Sequence, residues 1–506
     1  MLMHRLLVAG AERRPERIAF RWVDRARELN YAEAVEAMEH MAGALTSLGV
    51  GKGDRVTIFA HNGLDYITTM LGAWRLGAIS ALVNVRFVDE LDYYFADHTP
   101  KVVVYTHDMG GPVHAAAGRA ASPPILVCMD GPQEGAHSLP ELMAAAFQAP
   151  PDPGDETAIA HLSYTSGTTG KPKGACLAHE PTVRASRCIG ERLRIRVDDV
   201  SFGPTALSSS YQLVANLLPE LAAGATINVM GRWSQVAGWE AIDAAGATLF
   251  VANPTLLEEV LAESRTRGRA PGRLRFTLSG GGPVPPTLRA AFRDELHLPL
   301  VESYGQSELG GFVALGFPEL VHDNTKLMRI GPMLPDKEVV ACDLQDRPVP
   351  QGRLGELALR GGFMAGYWGN PDKTETATRF GWLRTGDVGF LDEDGYITMR
   401  GRRAELIEVD GVTWFPRDVE EALTRLPGVR LAALIGLRDL KLGARPAAFV
   451  TLDAGVIANG ATLKAAIEGQ TPYDHAPLTV TIVDKLPMTP TGKISKAELA
   501  AEQGKA

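Results

Sequence analysis

Apolar residues in the first 150 positions follow two alternating periodicities. Some stretches place them at helical spacing and end in glycine, as Val35, Met38 and Leu45 do before Gly49. Others are short continuous apolar runs, which are typical of buried strands. The pattern predicts helices at 35–45, 64–76 and 89–97, and strands at 56–60, 79–83 and 102–105. Strands that alternate with helices predict right-handed βαβ units on a parallel sheet.

The same alternation resumes after a proline-rich connector at 148–155. It covers 217–229 and 248–261, and at 277–283 a strand pattern ends in three glycines. After Leu334 the sequence pattern changes to short strand-like runs separated by turn residues, which predicts a smaller β-rich region. These strands are expected at 338–342 and 355–360, with a hairpin turn at 392–395.

The last hundred residues predict a compact α+β unit. A helix begins at Pro416, strands follow near 431–435 and 447–452, and a helix and a last strand complete the unit. We therefore expect an α/β protein with a large N-terminal domain of βα-layered parallel sheets and a β-rich subdomain over residues 1–402. A small C-terminal domain is expected over 403–506.

Composition narrows the class of protein. The chain has 506 residues, of which 45% are hydrophobic and 22% charged, as in ordinary globular enzymes. A net charge of -9 argues against a primary nucleic-acid binder. The four cysteines are far apart and form no CxxC pair, which favours reduced thiols in a cytoplasmic enzyme. We expect no signal peptide and no membrane span.

The stretch at 164–174, with the sequence YTSGTTGKPKG, is the strongest candidate for chemistry. An apolar run at 158–162 leads into it, so a strand is expected to open into a polar, glycine-rich loop. Backbone N–H groups, hydroxyls and two lysines together suit a polyphosphate. The loop is not a Walker A motif, because two residues separate Gly167 from Gly170 and Pro172 stands where that motif needs Ser or Thr. Taken alone, such a loop is better explained as a polar surface turn.

Four further stretches carry candidate ligand groups. Glu308, in the sequence YGQSE at 304–308, is a hard oxygen ligand suited to the Mg²⁺ that accompanies phosphates. Asp387, expected at a strand end, suits a pair of ribose hydroxyls. The arginines at 401–403 lie at the expected domain junction, and Lys493 lies on a glycine-bearing loop. Each feature by itself is also compatible with an ordinary turn or a solvated charge.

Together and in this order, the motifs resemble those of the adenylate-forming superfamily of acyl-CoA synthetases, peptide-synthetase adenylation domains and luciferases. The resemblance covers nearly the whole chain, and its most specific pieces are 164–174, 304–308, 385–387 and 490–493. It implies that a carboxylate attacks the α-phosphorus of ATP to give an acyl-adenylate and pyrophosphate. A thiol, in this family that of coenzyme A or of a carrier protein, then displaces AMP.

The resemblance also implies roles for individual residues. Thr165, Glu308 and Lys493 are expected to be catalytic, and Glu308 and Thr165 to hold Mg²⁺. Asp387 and Arg402 are expected to hold the ribose, and Lys493 to reach the charge that develops on the α-phosphate. The remaining residues expected around ATP and coenzyme A are Ser166, Gly167, Thr168, Thr169, Gly170, Lys173, Gly281, Gly282, Pro283, Ser303, Tyr304, Gly305, Gln306, Ser307 and Gly411.

Two departures from the family pattern concern the second step. The small domain of family members swings between the steps, and the hinge position, usually Asp or Lys, is here Ala404. The loop at 408–411, expected beside the pantetheine arm, carries a single glycine, Gly411, where many relatives have two.

A third departure lies in the expected acid pocket. Ser209 stands where many acyl-CoA synthetases have a gating His, and Tyr211 offers an alternative ring. The pocket is expected to be lined by Ser209, Ser210, Tyr211, Phe250, Gly280, Gly305 and Leu309. The serines favour a short or medium-chain polar acid or an aromatic acid.

The leading hypothesis is an ATP-dependent carboxylic acid:CoA ligase, with ATP, Mg²⁺ and coenzyme A as ligands and with a homodimer left open. One alternative is a ligase that loads a separate carrier protein, since no carrier-type attachment region follows Lys493. The other is a regulatory relative that has lost turnover, against which the presence of Glu308 and Lys493 argues.

Overall fold

The computed structural model describes residues 1–165, 171–318, 330–343, 345–488 and 494–503. The chain forms two compact units. The first contains Met1–Thr165, Pro172–Glu338 and Arg360–Leu383, and the second is built mainly from Val339–Leu359 and Arg384–Ala506. The boundary expected at 402/403 stays a prediction.

Fifteen strands build the two large sheets of the first unit. They are β1 (Ile18–Trp22), β2 (Arg27–Asn30), β3 (Arg55–Phe59), β4 (Ile79–Leu82), β5 (Val102–Tyr105), β6 (Ile125–Cys128), β7 (His137–Ser138), β8 (Ile159–Thr165), β9 (Lys173–Ala178), β10 (Val200–Phe202), β11 (Thr226–Val229), β12 (Leu249–Ala252), β13 (Phe276–Ser279), β14 (Leu300–Gln306) and β15 (Gly311–Leu315).

The helices of the first unit are α1 (Arg5–Arg13), α2 (Tyr31–Ser47), α3 (Leu64–Arg75), α4 (Leu91–His98), α5 (Gly110–Arg119), α6 (Leu139–Ala144), α7 (His179–Arg192), α8 (Ser210–Gln212), α9 (Leu218–Ala223), α10 (Gln235–Ala244), α11 (Pro254–Arg267), α12 (Pro286–Asp294) and α13 (Pro371–Ala377). A π-helical segment, Leu213–Leu217, joins α8 to α9, and a 3-10 turn, Ser307–Leu309, follows β14.

Both large sheets are parallel in their interiors, as predicted. One has the order β15-β14-β13-β12-β10-β11-β1-β2 and the other β7-β6-β5-β3-β4-β8-β9. Among the described strands of these two sheets, the antiparallel pairs are β14–β15, β1–β2 and β8–β9, all at sheet edges. Strands such as β4 and β5 are buried at every position, which explains their continuous apolar sequences. The predicted helices and strands of residues 35–105 are confirmed to within a few residues.

Helix α3 fixes β8 in its sheet. The indole Nε1 of the fully buried Trp74 donates to the carbonyl of Ala160, 2.9 Å away, and to Ser80 Oγ at 3.0 Å. Because Ala160 lies in β8 and Ser80 in β4, one side chain ties two neighbouring strands to the helix that covers them. The strand that leads into the glycine-rich loop is therefore set by core packing.

The remaining described elements are three helices and ten strands, and most of these strands pair antiparallel. They are β16 (Glu338–Cys342), β17 (Gly355–Arg360), β18 (Thr378–Arg379), β19 (Trp382–Leu391), β20 (Ile397–Arg402), β21 (Ile407–Val409), β22 (Val412–Trp414), β23 (Val429–Asp439), β24 (Gly443–Leu452), β25 (Thr479–Ile482), α14 (Pro416–Thr424), α15 (Gly460–Ala466) and α16 (Lys496–Gln503). One sheet has the order β16-β17-β19-β18 with β20 on β19, and the other β22-β21-β24-β23 with β25 on β24. The β-rich region and the C-terminal α+β unit are confirmed.

Candidate active site

The glycine-rich segment joins two antiparallel strands in the sequence. Strands β8 and β9 pair with Thr165 opposite Lys173, so these two residues stand where the loop leaves and rejoins the sheet. The hydroxyl of Thr165 is buried and has no hydrogen-bond partner among the described residues. A buried polar group of this kind is expected where a ligand supplies the missing hydrogen bond. Ser166, Gly167, Thr168, Thr169 and Gly170, all expected to bind ATP, lie outside the described residues.

Glu308 lies beside this hairpin and receives a hydrogen bond that the sequence did not reveal. Its turn, Ser307–Leu309, has Cα atoms within 8 Å of those of β8 and β9. Tyr367 donates its hydroxyl to Glu308 Oε1 at 2.9 Å, and burial together with this carboxylate raises the pKa of the phenol. The ammonium of Lys173 lies 4.5 Å from the centre of the Tyr367 ring. Tyr367 thus links the expected metal ligand to an expected phosphate contact.

Backbone pairing places Tyr367 at this position. Trp368 N donates to the carbonyl of Gly174, and Cys176 N donates to that of Gly366, so the chain at 365–368 runs along β9. The amide of Met364 donates to the carbonyl of Glu308 at 2.7 Å. A lone tyrosine in a turn-rich segment gives no sequence signal of this kind, because the pairing joins positions nearly 200 residues apart.

The residues expected around the adenine leave neighbouring strands of one sheet. Strands β13 and β14 are parallel, with Ser279 opposite Glu302, so the chain after each strand emerges at the same edge. Ser303 Oγ donates to the carbonyl of Ser279 at 2.9 Å, and Tyr304 is buried. Gly281 has a φ of +80°, which glycine adopts without strain, and Gly281 and Pro283 are exposed while Gly282 is half-buried.

Gly305 and Gln306 belong to β14 itself. A side chain at Gly305 would place its Cβ 2.5 Å from the carbonyl oxygen of Gly311 in β15. The glycine is therefore required by the β14–β15 pairing, independently of any ligand. Gln306 is half-buried and precedes the turn that carries Ser307 and Glu308.

The expected acid pocket begins at the N-terminus of α8. Ser209 is the N-cap residue, with its Oγ 3.3 Å from the amide of Tyr211. Ser210 Oγ lies 2.9 Å from Ser307 Oγ, so the serine cluster contacts the turn of Glu308 directly. A π-helical segment follows, a distortion that frequently marks functional sites.

The ring of Tyr211 is held by two strands. Its hydroxyl donates to the carbonyl of Leu278 at 3.0 Å and approaches that of Ala252 at 3.4 Å. Its edge passes so close to Gly280 that a Cβ there would lie 2.4 Å from Tyr211 Cε2. The ring of Phe312 is 5.8 Å away, centre to centre. Burial raises the pKa of Tyr211, so the phenol stays neutral.

Phe250 and Leu309, two further residues expected in the acid pocket, are both buried. Phe250 is fully buried in a separate core cluster, where its ring stacks on Trp233 at 6.0 Å. Tyr211 packs against a different cluster, to which Leu249 and Val251 of the same strand belong. Leu309 is buried in the turn after β14. The predicted role of Phe250 in the pocket receives no support from this placement.

Asp387 and Arg402 face each other across paired strands of the second unit. They are direct partners in the β19–β20 register, and Arg402 Nε lies 3.3 Å from Asp387 Oδ1. The prediction that Asp387 stands at a strand end is wrong, because β19 continues for four residues beyond it. Neighbouring Thr385 donates to the carbonyl of Leu357 at 2.7 Å and accepts from the Asp387 amide at 3.0 Å, which fixes this buried stretch.

The segment expected beside the thiol is a tight hairpin. Glu408 and Val409 belong to β21, which corrects the prediction of a four-residue loop. The turn consists of Asp410 and Gly411, with φ of +48° and +75°, the combination that a type I′ turn requires. Ala404 lies in a 3-10 turn whose first residue, Arg403, pairs with Glu356 at 2.6 Å. Lys493 lies outside the described residues.

The described residues fit a magnesium ion that is bound mainly through phosphate. They contain no cluster of three or more His, Cys, Asp or Glu side chains that would form a metal site by themselves. Mg²⁺ in phosphate-transfer sites typically takes one or two protein oxygens and completes its shell with phosphate and water. Glu308 and the unpartnered hydroxyl of Thr165 supply oxygens of this type. Within the described ranges, no helix is long and apolar enough to cross a membrane.

Comparison with known proteins gives consistent matches over most of the chain. Residues 7–368 match the family model of the AMP-binding enzyme, and residues 418–493 match that of the AMP-binding enzyme C-terminal domain. The chain is 31% identical to a feruloyl-CoA synthase from an Amycolatopsis species, over 94% of each chain. It is also 31% identical to the sulfoacetate–CoA ligase of Cupriavidus necator, over 89% of this chain and 88% of that one.

A solved structure agrees with the sequence matches. The ATP-bound MatB of Rhodopseudomonas palustris superposes with a TM-score of 0.89 at 25% identity, over 99% of each chain. The predicted fold class, with its parallel sheets, β-rich region and C-terminal domain, is confirmed.

Proposed function

Since the chain belongs to the AMP-binding enzyme family and is an ATP-dependent acid–thiol ligase, we propose that its acid is a small aromatic acid with a polar substituent. The feature that carries this proposal is the fixed ring of Tyr211 beside the serines at 208–210. The ring gives the expected pocket a flat apolar wall, and the hydroxyls give it a polar edge.

The reaction has two displacement steps. A carboxylate oxygen of the acid attacks the α-phosphorus of ATP, the bond from that phosphorus to the bridging oxygen breaks, and pyrophosphate leaves. The sulfur of coenzyme A then attacks the acyl carbon, its proton is lost, and AMP leaves with the former carboxylate oxygen. The first step requires close placement of two anions, so charge neutralisation and positioning dominate its catalysis.

We assign the residues of the first step as follows. Thr165 and Lys173 flank the loop that grips the β- and γ-phosphates, and Ser307 lies beside the α-phosphate. Asp387 and Arg402 bind the ribose, and Lys493 meets the charge that develops on the α-phosphate. Mg²⁺, held by Glu308 and Thr165, would neutralise phosphate charge. Tyr367 keeps the Glu308 carboxylate in one orientation through its hydrogen bond.

Tyr211 limits the length of the acid in this proposal. Its hydroxyl is anchored near the carboxyl ends of β12 and β13, and its ring fills the space above Gly280. A long alkyl chain would have to displace a buried ring and break its hydrogen bond to Leu278. A planar acid can instead stack near Tyr211 and Phe312. Ferulate, the acid named in one relative, is of this class, and sulfoacetate, named in another, is short and polar.

The cellular compartment is part of the proposal. The four cysteines are all unpaired, and three of them are buried. A chain with free thiols and no disulfide fits a reducing compartment, so we propose a cytoplasmic enzyme.

A panel of acids tests the substrate class. Benzoate, 4-hydroxybenzoate, ferulate, sulfoacetate, hexanoate and palmitate are offered with ATP, Mg²⁺ and coenzyme A, and AMP and acyl-CoA are both measured. We expect kcat/KM to be about tenfold or more higher for a hydroxylated aromatic acid than for hexanoate. Tyr211→Ala should raise the relative rate with longer acids. A preference for palmitate would refute the proposed class, and AMP release without acyl-CoA would point to a carrier-protein acceptor.

A further inference from the structure

Helix α4 holds both stems of the glycine-rich loop. Tyr93, in its first turn, donates its hydroxyl to the carbonyl of Pro172, where the loop rejoins β9. Asp97 and His98, in its last turn, both contact the hydroxyl of Tyr164, next to the residue where the loop leaves β8. One short helix therefore binds the chain on each side of residues 165–171.

The contacts at Tyr164 form a directional hydrogen-bond chain. The phenol donates to Asp97 Oδ2 at 2.7 Å, because a carboxylate only accepts. The phenol oxygen must then accept from His98 Nδ1 at 2.8 Å. With Nδ1 protonated and the buried ring neutral, Nε2 accepts from the hydroxyl of Thr57 at 2.6 Å. Thr57 lies in β3, so the chain runs from a central strand of the sheet to the loop stem.

Aromatic packing restrains the same stem. The rings of Tyr94 and Tyr164 meet edge to face with centres 4.8 Å apart. Tyr94 is itself buried, between Tyr93 and Phe87 on its own side. The backbone after α4 is also held, because Arg55 Nε donates to the carbonyl of His98 at 2.7 Å. The helix is thus a rigid support for the hydrogen bonds that it makes to the loop stems.

We propose that α4 positions the phosphate loop, and that Tyr93, Asp97 and His98 are positioning residues for ATP binding. Residues that hold phosphates lose conformational entropy when ATP binding fixes them in place. Stems that are already bound to a rigid helix reduce that cost, so ATP binds more tightly without any contact between α4 and the nucleotide. This inference rests on the assignment of the loop to ATP phosphates.

The test measures ATP affinity in single variants of the full-length enzyme. Tyr93→Phe removes the bond to Pro172, and Asp97→Ala removes the acceptor from Tyr164. Asp97→Asn keeps an acceptor oxygen and serves as the conservative rescue. Tyr105→Phe is the matched control. Tyr105 lies in strand β5, and its hydroxyl forms a hydrogen bond with His114 of α5 at 2.8 Å, away from the loop. Thr165→Ala reports on the loop itself.

We expect Tyr93→Phe and Asp97→Ala to weaken ATP binding by about 3- to 10-fold each, the effect of one lost hydrogen bond. The KM for the acid should stay unchanged, and Asp97→Asn should recover most of the affinity. The dissociation constant of ATP is measured by titration calorimetry, and thermal unfolding is followed in parallel. Tyr105→Phe should leave ATP affinity at the wild-type value.

Three results would overturn the inference in different ways. If Thr165→Ala weakens ATP binding but the α4 variants do not, the loop grips phosphate and α4 does not position it. If neither Thr165→Ala nor the α4 variants change ATP affinity, the assignment of the loop is itself wrong. A loss shared equally by Tyr105→Phe, with matching drops in unfolding temperature, would make the role of α4 purely structural.

Discussion

Ser210 Oγ lies 2.9 Å from Ser307 Oγ. The first serine belongs to the expected acid pocket, and the second is expected beside the α-phosphate. In the reaction the carboxylate must come into contact with the α-phosphorus, so two residues that touch at this point are well placed to set the approach of both substrates.

This contact predicts a non-additive pair of variants. Ser307→Ala should lower kcat/KM for the acid in pyrophosphate release by about tenfold, because a hydroxyl beside the reacting phosphate is lost. Ser210→Ala should have a smaller effect, and the double variant should be no worse than Ser307→Ala alone. Ser234→Ala, at an exposed position of the same unit and outside the pocket, serves as the control. Additive losses would show that the two hydroxyls act separately.

Tyr367 is predicted to tune the magnesium requirement. Tyr367→Phe removes the donor to Glu308 Oε1 and leaves the carboxylate free to rotate. The Mg²⁺ concentration for half-maximal pyrophosphate release should rise about tenfold, as is typical when a residue that orients a metal ligand is lost.

The control for Tyr367 is another tyrosine–carboxylate pair. Tyr473 donates to Asp418 Oδ2 at 2.6 Å within the second unit. Tyr473→Phe should leave the Mg²⁺ dependence unchanged even if it lowers thermal stability. If the Mg²⁺ concentration for half-maximal pyrophosphate release rose equally in both variants, the effect of Tyr367 on the magnesium site would be refuted.

Lys493 is predicted to act in the first step only. Lys493→Ala should slow acid-dependent pyrophosphate exchange by about 100-fold or more, because a cation oriented toward the developing charge is lost. Transfer to coenzyme A, measured with synthetic acyl-adenylate, should change much less. Lys485→Ala, at an exposed position of the same unit, is the control. Equal losses in both half-reactions would contradict the assignment.

Buried neutral histidines predict loss of stability in mild acid. Burial lowers the pKa of His161 to about 4 and that of His98 to about 3, from an ordinary value of 6.5. Between these values the unfolded chain binds more protons than the folded protein, so stability falls as the pH drops below 6.5. Each such group can cost up to about 1.4 kcal/mol per pH unit in that interval.

Thermal unfolding midpoints between pH 7 and pH 5 measure this effect. His161→Asn should make the midpoint less dependent on pH than in the wild type, because the asparagine side chain gains no proton in this pH range. His137→Asn, at an exposed position, should leave the dependence as it was. An unchanged pH dependence in His161→Asn would refute the prediction.

Local sequence patterns predict the individual helices and strands and identify the chemical groups of the site. The helix at 64–76, the strand at 102–105 and the hairpin turn at 392–395 follow from periodicity and turn residues, which depend on neighbours within a few positions. The glycine-rich loop, Glu308 and Asp387 were recognisable because their residue types match phosphate, metal and ribose chemistry and because they recur in one order along the chain.

Which of these groups come into contact depends on the packing of the sheets and helices. Strand order brings Tyr367 to Glu308 and Ser210 to Ser307, and it places α4 under both stems of the loop. It also buries Phe250 against Trp233, away from the ring of Tyr211. The hydrogen bonds of Tyr367, Ser210 and His98 join positions about 60 to 100 residues apart in the chain. They depend on how whole sheets pack, a cooperative property that no local pattern of apolar and polar residues encodes.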